Sequence, residues 1–284
     1  VVGAAVVAAT AFVITLNPPQ TLVPYADVQA GAGEASVLAP GSSLPGSTVP
    51  PTGTVARRVL ILGDSGTKDA APGIAAAFYG AGADEVIDGA VPGFGFTGSP
   101  FNPPQGDWRA DYAGLVAEND PDLVVMMLGG WDAWYIEENG EQAYAAVVDD
   151  AVEILSAGGA RILWLSMLPG GATNDRPGDV VYEQLPDRFP GIVAYKDVEA
   201  ALRAPDGARE VDAQPGAETW PRSYVAPDGT LVILRKKEYW HICPDGAERL
   251  GALVNQAAAD IGWATLAAPG WEQGEWRDEA RYDD

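Results

Sequence analysis

The chain has 284 residues, enough for one domain of ordinary size with appendages, and 40 acidic against 17 basic residues give it a formal net charge of −23. A field of that sign repels phosphate backbones and anionic headgroups, which argues against nucleic acid as a partner. The single cysteine, Cys243, excludes an internal disulfide and any multi-cysteine metal site, and the single histidine, His241, excludes a metal held by two or three histidines.

Residues 1–16, VVGAAVVAATAFVITL, carry no charge and fall short of the roughly twenty apolar residues that span a bilayer. The chain begins at Val rather than Met, and the segment is expected to be the end of a membrane-anchoring helix. The core of a signal peptide and a buried helix are the rivals, and the basic start of a signal peptide is missing. Residues 17–56 are rich in Pro, Gly, Ser and Thr with little periodicity, too poor in apolar surface to fold alone. They are expected to be a flexible linker with a root-mean-square reach of about 35 Å.

From Arg57 onward, apolar runs alternate with helical patterns, which predicts an α/β fold around a parallel sheet. Strands are predicted at Val59–Leu62, Glu85–Ile87, Leu123–Leu128, Arg161–Ser166 and Ile192–Tyr195. Helices are predicted over 69–79, 108–119, 141–157 and 244–261, with a glycine-punctuated loop at Asp88–Gly98 and another loop at 169–177. Leu231–Leu234 reads as a strand or ribbon arm, whereas 204–230 has no legible element. The expected organisation is an anchor over 1–16, a linker over 17–56, a catalytic-type domain over 57–265 and an acidic, Trp-rich tail over 266–284, to which no function attaches.

Two stretches carry chemistry. The first is RRVLILGDSGT, Arg57 to Thr67, in which a buried strand ends at Gly63 and a serine follows just before a helix. A side chain there sits where α/β folds place their sites, and the N–H groups that follow are aimed at a developing oxyanion. An ordinary strand–turn–helix corner, with Asp64 and Ser65 serving only as caps, has the same appearance. The second is Glu238-Tyr-Trp-His241, just ahead of a helix starting near Pro244. This spacing lets a carboxylate hold one imidazole nitrogen while the other faces a serine, which is what a weak hydroxyl nucleophile requires. A surface histidine with an unrelated glutamate nearby is the plainer alternative.

Over roughly 57–261 the sequence resembles the SGNH (GDSL-like) hydrolase superfamily. The resemblance rests on four blocks in order: Gly63-Asp64-Ser65, Asp88-Gly-Ala-Val-Pro-Gly93, Gly129-Gly130-Trp131-Asp132, and Glu238-Tyr-Trp-His241 with Pro244-Asp-Gly246. It implies a three-layer α/β/α, flavodoxin-like fold with a central parallel sheet and no metal or organic cofactor. It also implies Ser65 as nucleophile, His241 as base and Glu238 as the residue orienting it. The oxyanion hole is expected from the N–H groups of Ser65 and Gly93, with Gly95 as the fallback glycine and Trp131 at the third position. Asp64, Gly95 and Trp240 are expected to meet substrate.

Two residues depart from the family pattern. Glu238 replaces an aspartate, one methylene longer; Trp131 replaces the asparagine that supplies an oxyanion donor. The indole N–H is a donor on a larger frame, and loss of one such donor costs about a hundred- to a thousandfold in rate.

The apolar segment, linker and domain in this order also resemble the end of bacterial membrane O-acyltransferases that carry such a domain. That implies a membrane-tethered, extracytoplasmic esterase or O-acyltransferase acting on acyl groups, acetyl above all, of cell-envelope carbohydrate, and a transmembrane acyltransferase region as an N-terminal partner. A non-catalytic module binding carbohydrate or acyl groups is the alternative that Trp131 favours. A free secreted lipase is the third. Tryptophans near strand ends (Trp108, Trp131, Trp134, Trp164, Trp240) could stack on sugar rings, though aromatic packing accounts for most such residues.

Overall fold

The computed structural model describes residues 36–37, 55–104, 106–169, 176–212, 221–238 and 240–283. The segment expected to be an anchor and most of the expected linker lie outside the described residues, as does 170–175 of the predicted 169–177 loop. Among the described residues, no helix is long and apolar enough to cross a membrane.

The main sheet has six strands: β1 (Ser36–Val37), β2 (Arg58–Gly63), β3 (Glu85–Asp88), β4 (Leu123–Met127), β5 (Arg161–Leu165) and β6 (Val193–Lys196). Their order is β1-β3-β2-β4-β5-β6; the last five run parallel, and β1 pairs antiparallel with β3 at the edge. Ser36 and Val37 thus join the sheet from within the stretch expected to be a linker. The five parallel strands have the doubly wound, flavodoxin-like order, whose direction of winding reverses between β2 and β4. This is the three-layer α/β/α architecture expected from the sequence.

Both faces of the sheet are covered, and that is why β2 and β4 are apolar without alternation. Val59 and Ile61 face one layer, while Leu60 and Leu62 face the other. The first layer holds α1 (Ser65–Gly80); the second holds α2 (Trp108–Asn119), α3 (Ala133–Asn139) and α4 (Glu141–Ser156), with Tyr112, Tyr144, Val148 and Trp164 at its centre. Short helices α5 (Asp179–Tyr182) and α6 (Leu185–Arg188) extend that second layer. The final helix, α7 (Pro244–Asp260), packs beside α1 with Ile74, Phe78, Leu250 and Val254 in one core.

Helices α1 and α7 touch backbone to backbone. A Cβ at Gly251 would lie 2.3 Å from the Gly73 carbonyl oxygen, and one at Gly73 would lie 2.2 Å from that of Ala247. Only glycine permits so close a crossing.

Several elements differ from the sequence prediction. The first helix begins at Ser65 rather than at 69, because the Asp64 side chain caps it by accepting the N–H of Gly66 at 2.9 Å and of Thr67 at 3.4 Å. The 204–230 stretch contains β7 (Arg209–Val211) and β8 (Ser223–Val225), which join β9 (Leu231–Ile233) in a small antiparallel sheet. At three residues each these strands are too short to show a period.

The Trp-rich tail folds into two 3₁₀ turns, Glu275–Asp278 and Ala280–Tyr282. Trp276 is buried in the α1/α7 core, and Arg277 pairs with Asp245 and Glu248 in the first turns of α7.

Candidate active site

Strand β2 ends at Gly63, whose φ of +152° leads straight into α1; a Cβ there would sit 1.9 Å from the Met127 carbonyl oxygen. That same carbonyl accepts the Thr67 hydroxyl, so the ends of β2 and β4 and the first turn of α1 are one packed unit. Ser65 occupies the first position of α1, at the carboxyl end of the sheet and at the point where the winding reverses. The expected nucleophile therefore stands at the crevice where open α/β sheets bind ligands.

The turn differs from the sequence expectation in one respect. The N–H groups of Gly66 and Thr67 point at the Asp64 carboxylate rather than outward. Burial pushes the Asp64 carboxyl up to about 6, against the pull of those two N–H groups and of the nearby His241; Asp132 adds a smaller upward push. His241 and Asp132 are thus both within electrostatic reach of the residue beside Ser65.

The second block is shaped by turn chemistry. The Val91 N–H donates to the Gly63 carbonyl at 2.9 Å, and the Phe94 N–H donates to the Val91 carbonyl at 3.0 Å. Between them Pro92 and Gly93 form the corner, with φ +78° at Gly93, as a type II turn with Pro then Gly demands. The side-chain amide of Asn102 donates to the Gly93 carbonyl. Gly93 is consequently held by Asn102 and tied, through Val91, to the end of β2 at Gly63.

Gly95 has a different environment. A Cβ there would meet the Cβ of Trp131 at 2.8 Å and Asp132 Oδ1 at 3.0 Å, so its small size lets the second block lie on the third. Trp131 is half-buried at that contact.

Asp132 is fully buried and accepts from four groups: the Phe96 N–H at 3.2 Å, the Thr97 N–H at 2.7 Å, the Thr97 hydroxyl at 2.6 Å and the Tyr144 hydroxyl at 2.9 Å. Tyr144 in turn lies 2.8 Å from the Tyr182 hydroxyl. Burial raises the Asp132 carboxyl above its ordinary range while these donors pull it down. Its place in the third block was legible in the sequence; its partners were not, since they come from a loop 35 residues before it and a helix 12 residues after it.

In the last block, His241 Nδ1 lies 2.7 Å from Glu238 Oε1. The longer glutamate therefore reaches the ring, and Nε2 remains as the nitrogen on the opposite side. The dyad is partly exposed, with side-chain accessibilities of 33% for His241 and 45% for Glu238. Trp240, beside it, is 60% exposed. Cys243 is buried, N-terminal to α7.

Two features were not anticipated. Lys236, near the dyad, pairs with Asp69 of α1 at 3.1 Å. Phe101 and Trp134, exposed at 72% and 41%, meet edge to face with ring centroids 6.0 Å apart. Phe101 directly precedes Asn102, the partner of Gly93, and Trp134 follows Asp132 by two residues. Among the described residues, no group of three His, Cys, Asp or Glu side chains is arranged to hold a metal ion.

Residues 58–176 match a family described as a protein of unknown function (DUF459). No curated protein matches the chain in sequence. Among solved structures, the chain is similar to the native aryl esterase of M. smegmatis, at 18% identity over 72% of this chain and 99% of that one, with a TM-score of 0.47. It is similar to a catalytic mutant of an acetylxylan esterase from Geobacillus stearothermophilus, at 14% identity over 75% and 98% of the two chains, TM-score 0.46. A third likeness is to the periplasmic domain of a lipopolysaccharide acetyltransferase from Salmonella ser. Paratyphi A, at 11% identity over 72% and 84%, TM-score 0.45. At these identities the likeness is one of fold.

Proposed function

We propose that this chain is an SGNH-type serine carboxylester hydrolase or O-acyltransferase, with Ser65, His241 and Glu238 as its catalytic residues. The observation that carries the proposal is the His241–Glu238 contact at 2.7 Å, in a chain whose Ser65 opens a helix at the carboxyl end of the central strand β2. A serine at a helix N-terminus alone would not support it.

The chemistry follows in two displacements. The Ser65 hydroxyl oxygen attacks the acyl carbonyl carbon while His241 Nε2 takes its proton, and Glu238 holds the Nδ1–H and stabilises the imidazolium. The oxyanion is met by the N–H groups of Ser65 and Gly93; those of Gly66 and Thr67 are engaged by Asp64. Collapse breaks the ester C–O bond, and His241 returns its proton to the departing alkoxide. An acceptor hydroxyl or water then gives its proton to His241 and attacks the acyl-serine; collapse breaks the C–O bond to Ser65, whose oxygen takes the proton back from His241. Trp131 takes the third position around the oxyanion, so we expect a slow enzyme unless its indole N–H donates there.

Acetyl groups on cell-envelope carbohydrate are the proposed substrate. The exposed pair Phe101–Trp134 and exposed Trp240 give flat apolar faces suited to sugar rings, and the acidic surface suits a neutral substrate. An acetylxylan esterase and a periplasmic acetyltransferase domain are among the proteins of similar fold. We further propose an extracytoplasmic domain tethered to the membrane through residues 1–16, partnered by an N-terminal acyltransferase region.

Hydrolysis of p-nitrophenyl acetate and butyrate by the wild type, Ser65→Ala and His241→Ala is the test. Activity and phosphonate labelling lost in both variants support the assignment; labelling that survives Ser65→Ala removes Ser65 as nucleophile. A folded, inactive wild type that still binds acetylated sugars would favour the second reading, a binding module, to which the tryptophan at 131 lends weight.

A further inference from the structure

We propose that Lys236 is a positioning residue: it fastens the loop bearing His241 to the helix bearing Ser65, and the turn around Arg281 holds it in place. This rests on the assignment of Ser65 and His241 above and adds residues that the four sequence blocks do not contain.

Lys236 makes three connections. Its backbone N–H donates to the His241 carbonyl at 3.0 Å, which with the Arg235–Ile242 bridge and the Cys243 N–H on the Leu234 carbonyl closes the 234–243 loop at its base. Its ammonium lies 3.1 Å from Asp69 Oδ2, with side-chain accessibilities of only 13% and 9%. The ammonium also donates to the Arg281 carbonyl. Asp69 stands one helical turn beyond Ser65, on the same face of α1. The base-bearing loop and the nucleophile's helix are therefore joined by a nearly buried ion pair four residues from one functional group and five from the other.

The strap that backs this pair exists because of Pro72. Proline has no N–H, so the Lys68 carbonyl four residues earlier loses its helical partner. The Arg281 guanidinium donates to that carbonyl at 2.5 Å and to Asp88 Oδ2 at 3.1 Å, on a carboxylate that also pairs with Lys68 at 2.9 Å and is wholly buried. The Tyr282 hydroxyl donates to the Asp69 carbonyl at 2.8 Å. The Trp-rich tail, silent in the sequence, thus ends on the first turns of α1 and on Lys236.

Such an arrangement matters more for geometry than for stability. Near-buried pairs stabilise little against an apolar equivalent, whereas removing one partner strands the other charge. General-base catalysis needs serine and imidazole within hydrogen-bond reach, and a misplacement of about 1 Å costs on the order of a hundredfold. The dyad itself is half-exposed, so its loop depends on attachments at its base.

The test uses the full chain with Lys236→Met, Lys236→Arg and Arg281→Met. His241 is the single histidine, so its imidazole C2–H gives one proton signal that reports the loop without any need for activity. In Lys236→Met we expect kcat for p-nitrophenyl acetate to fall about 10- to 100-fold with KM changed less than about threefold, and the imidazole signal to move or broaden. Lys236→Arg, which can still reach Asp69, should recover most of the rate. A folded Lys236→Met with unchanged kcat and an unchanged imidazole signal overturns the proposal, even if its melting temperature drops. If Lys236→Met does not fold, Arg281→Met decides by the same two readouts. If the wild type shows no Ser65-dependent hydrolysis, the catalytic assignment fails by itself; the positioning claim then stands or falls on the imidazole signal alone.

Discussion

The backbone N–H and the hydroxyl of Thr97 both donate to one oxygen of Asp132, at 2.7 and 2.6 Å. A single buried carboxylate thereby sets the height of the loop that carries Gly93 and Gly95. Asp132→Ala would leave the Phe96 and Thr97 N–H groups buried and unpaired, and we expect a loss of about 2–4 kcal/mol. Asp132→Asn keeps an acceptor for Thr97 but turns an amide N–H₂ toward other donors, so it should fall between wild type and alanine. Chemical denaturation and kcat measured on all three decide; an unchanged midpoint for Asp132→Ala would contradict the clamp.

Stability should carry a pH signature from Asp64. Its carboxyl is raised to about 6 from an ordinary 3.8, and that of Asp179, buried near Arg176, is raised similarly to about 6. Between about pH 4 and 6 the folded chain holds more protons on these groups than the unfolded chain does. Their contribution therefore declines as pH rises through that window, and it is fully favourable only below it. Asp64→Asn removes the charge and keeps the capping oxygen. Its melting temperature, compared with wild type at pH 4 and again at pH 7, should show a gain at pH 7 that is absent at pH 4. Equal differences at both values would refute the shift.

The α1–α7 crossing sets a steric limit. Gly251→Ala places a methyl 2.3 Å from the Gly73 carbonyl oxygen, on backbone that cannot swing aside. We expect a loss of about 3 kcal/mol or more together with lower activity, since the two helices carry Ser65 and follow His241. Thermal unfolding of Gly251→Ala close to that of wild type would show that the helices can part at little cost.

Phe101 and Trp134 are exposed, so their roles separate cleanly from folding. Phe101→Ser and Trp134→Ser should leave the melting temperature and kcat nearly unchanged. Each should raise KM for acetylated sugars about two- to tenfold, the value of one aromatic contact. A KM unaffected by both changes would take the pair out of the binding surface.

The fold was largely legible because β2, β4 and β5 are uninterrupted apolar runs, and α2 and α7 are bounded by Asp-Pro and Pro signals that local chemistry dictates. The His241–Glu238 contact was legible as one of two readings of a local spacing, and the 2.7 Å contact decides between them. What escaped were partnerships between distant positions. Thr97 with Asp132, Asp69 with Lys236, and Arg281 with the Lys68 carbonyl are separated by 35, 167 and 213 residues, and no local period encodes them. The first helix starts four residues earlier than its Ala-rich run suggests, because Asp64 caps it at Ser65, a cap the sequence offers as one reading of the corner.

Pro72 has a consequence in time as well as in space. A polypeptide emerging from the ribosome completes β2, Ser65 and α1 early, with the Lys68 carbonyl still lacking the donor that proline withholds. That donor is Arg281, more than two hundred residues later. On the proposed assignment, Ser65 is synthesised long before His241 and the Arg281 turn, so a nascent chain would stay chemically quiet until the last turns close over the first helix.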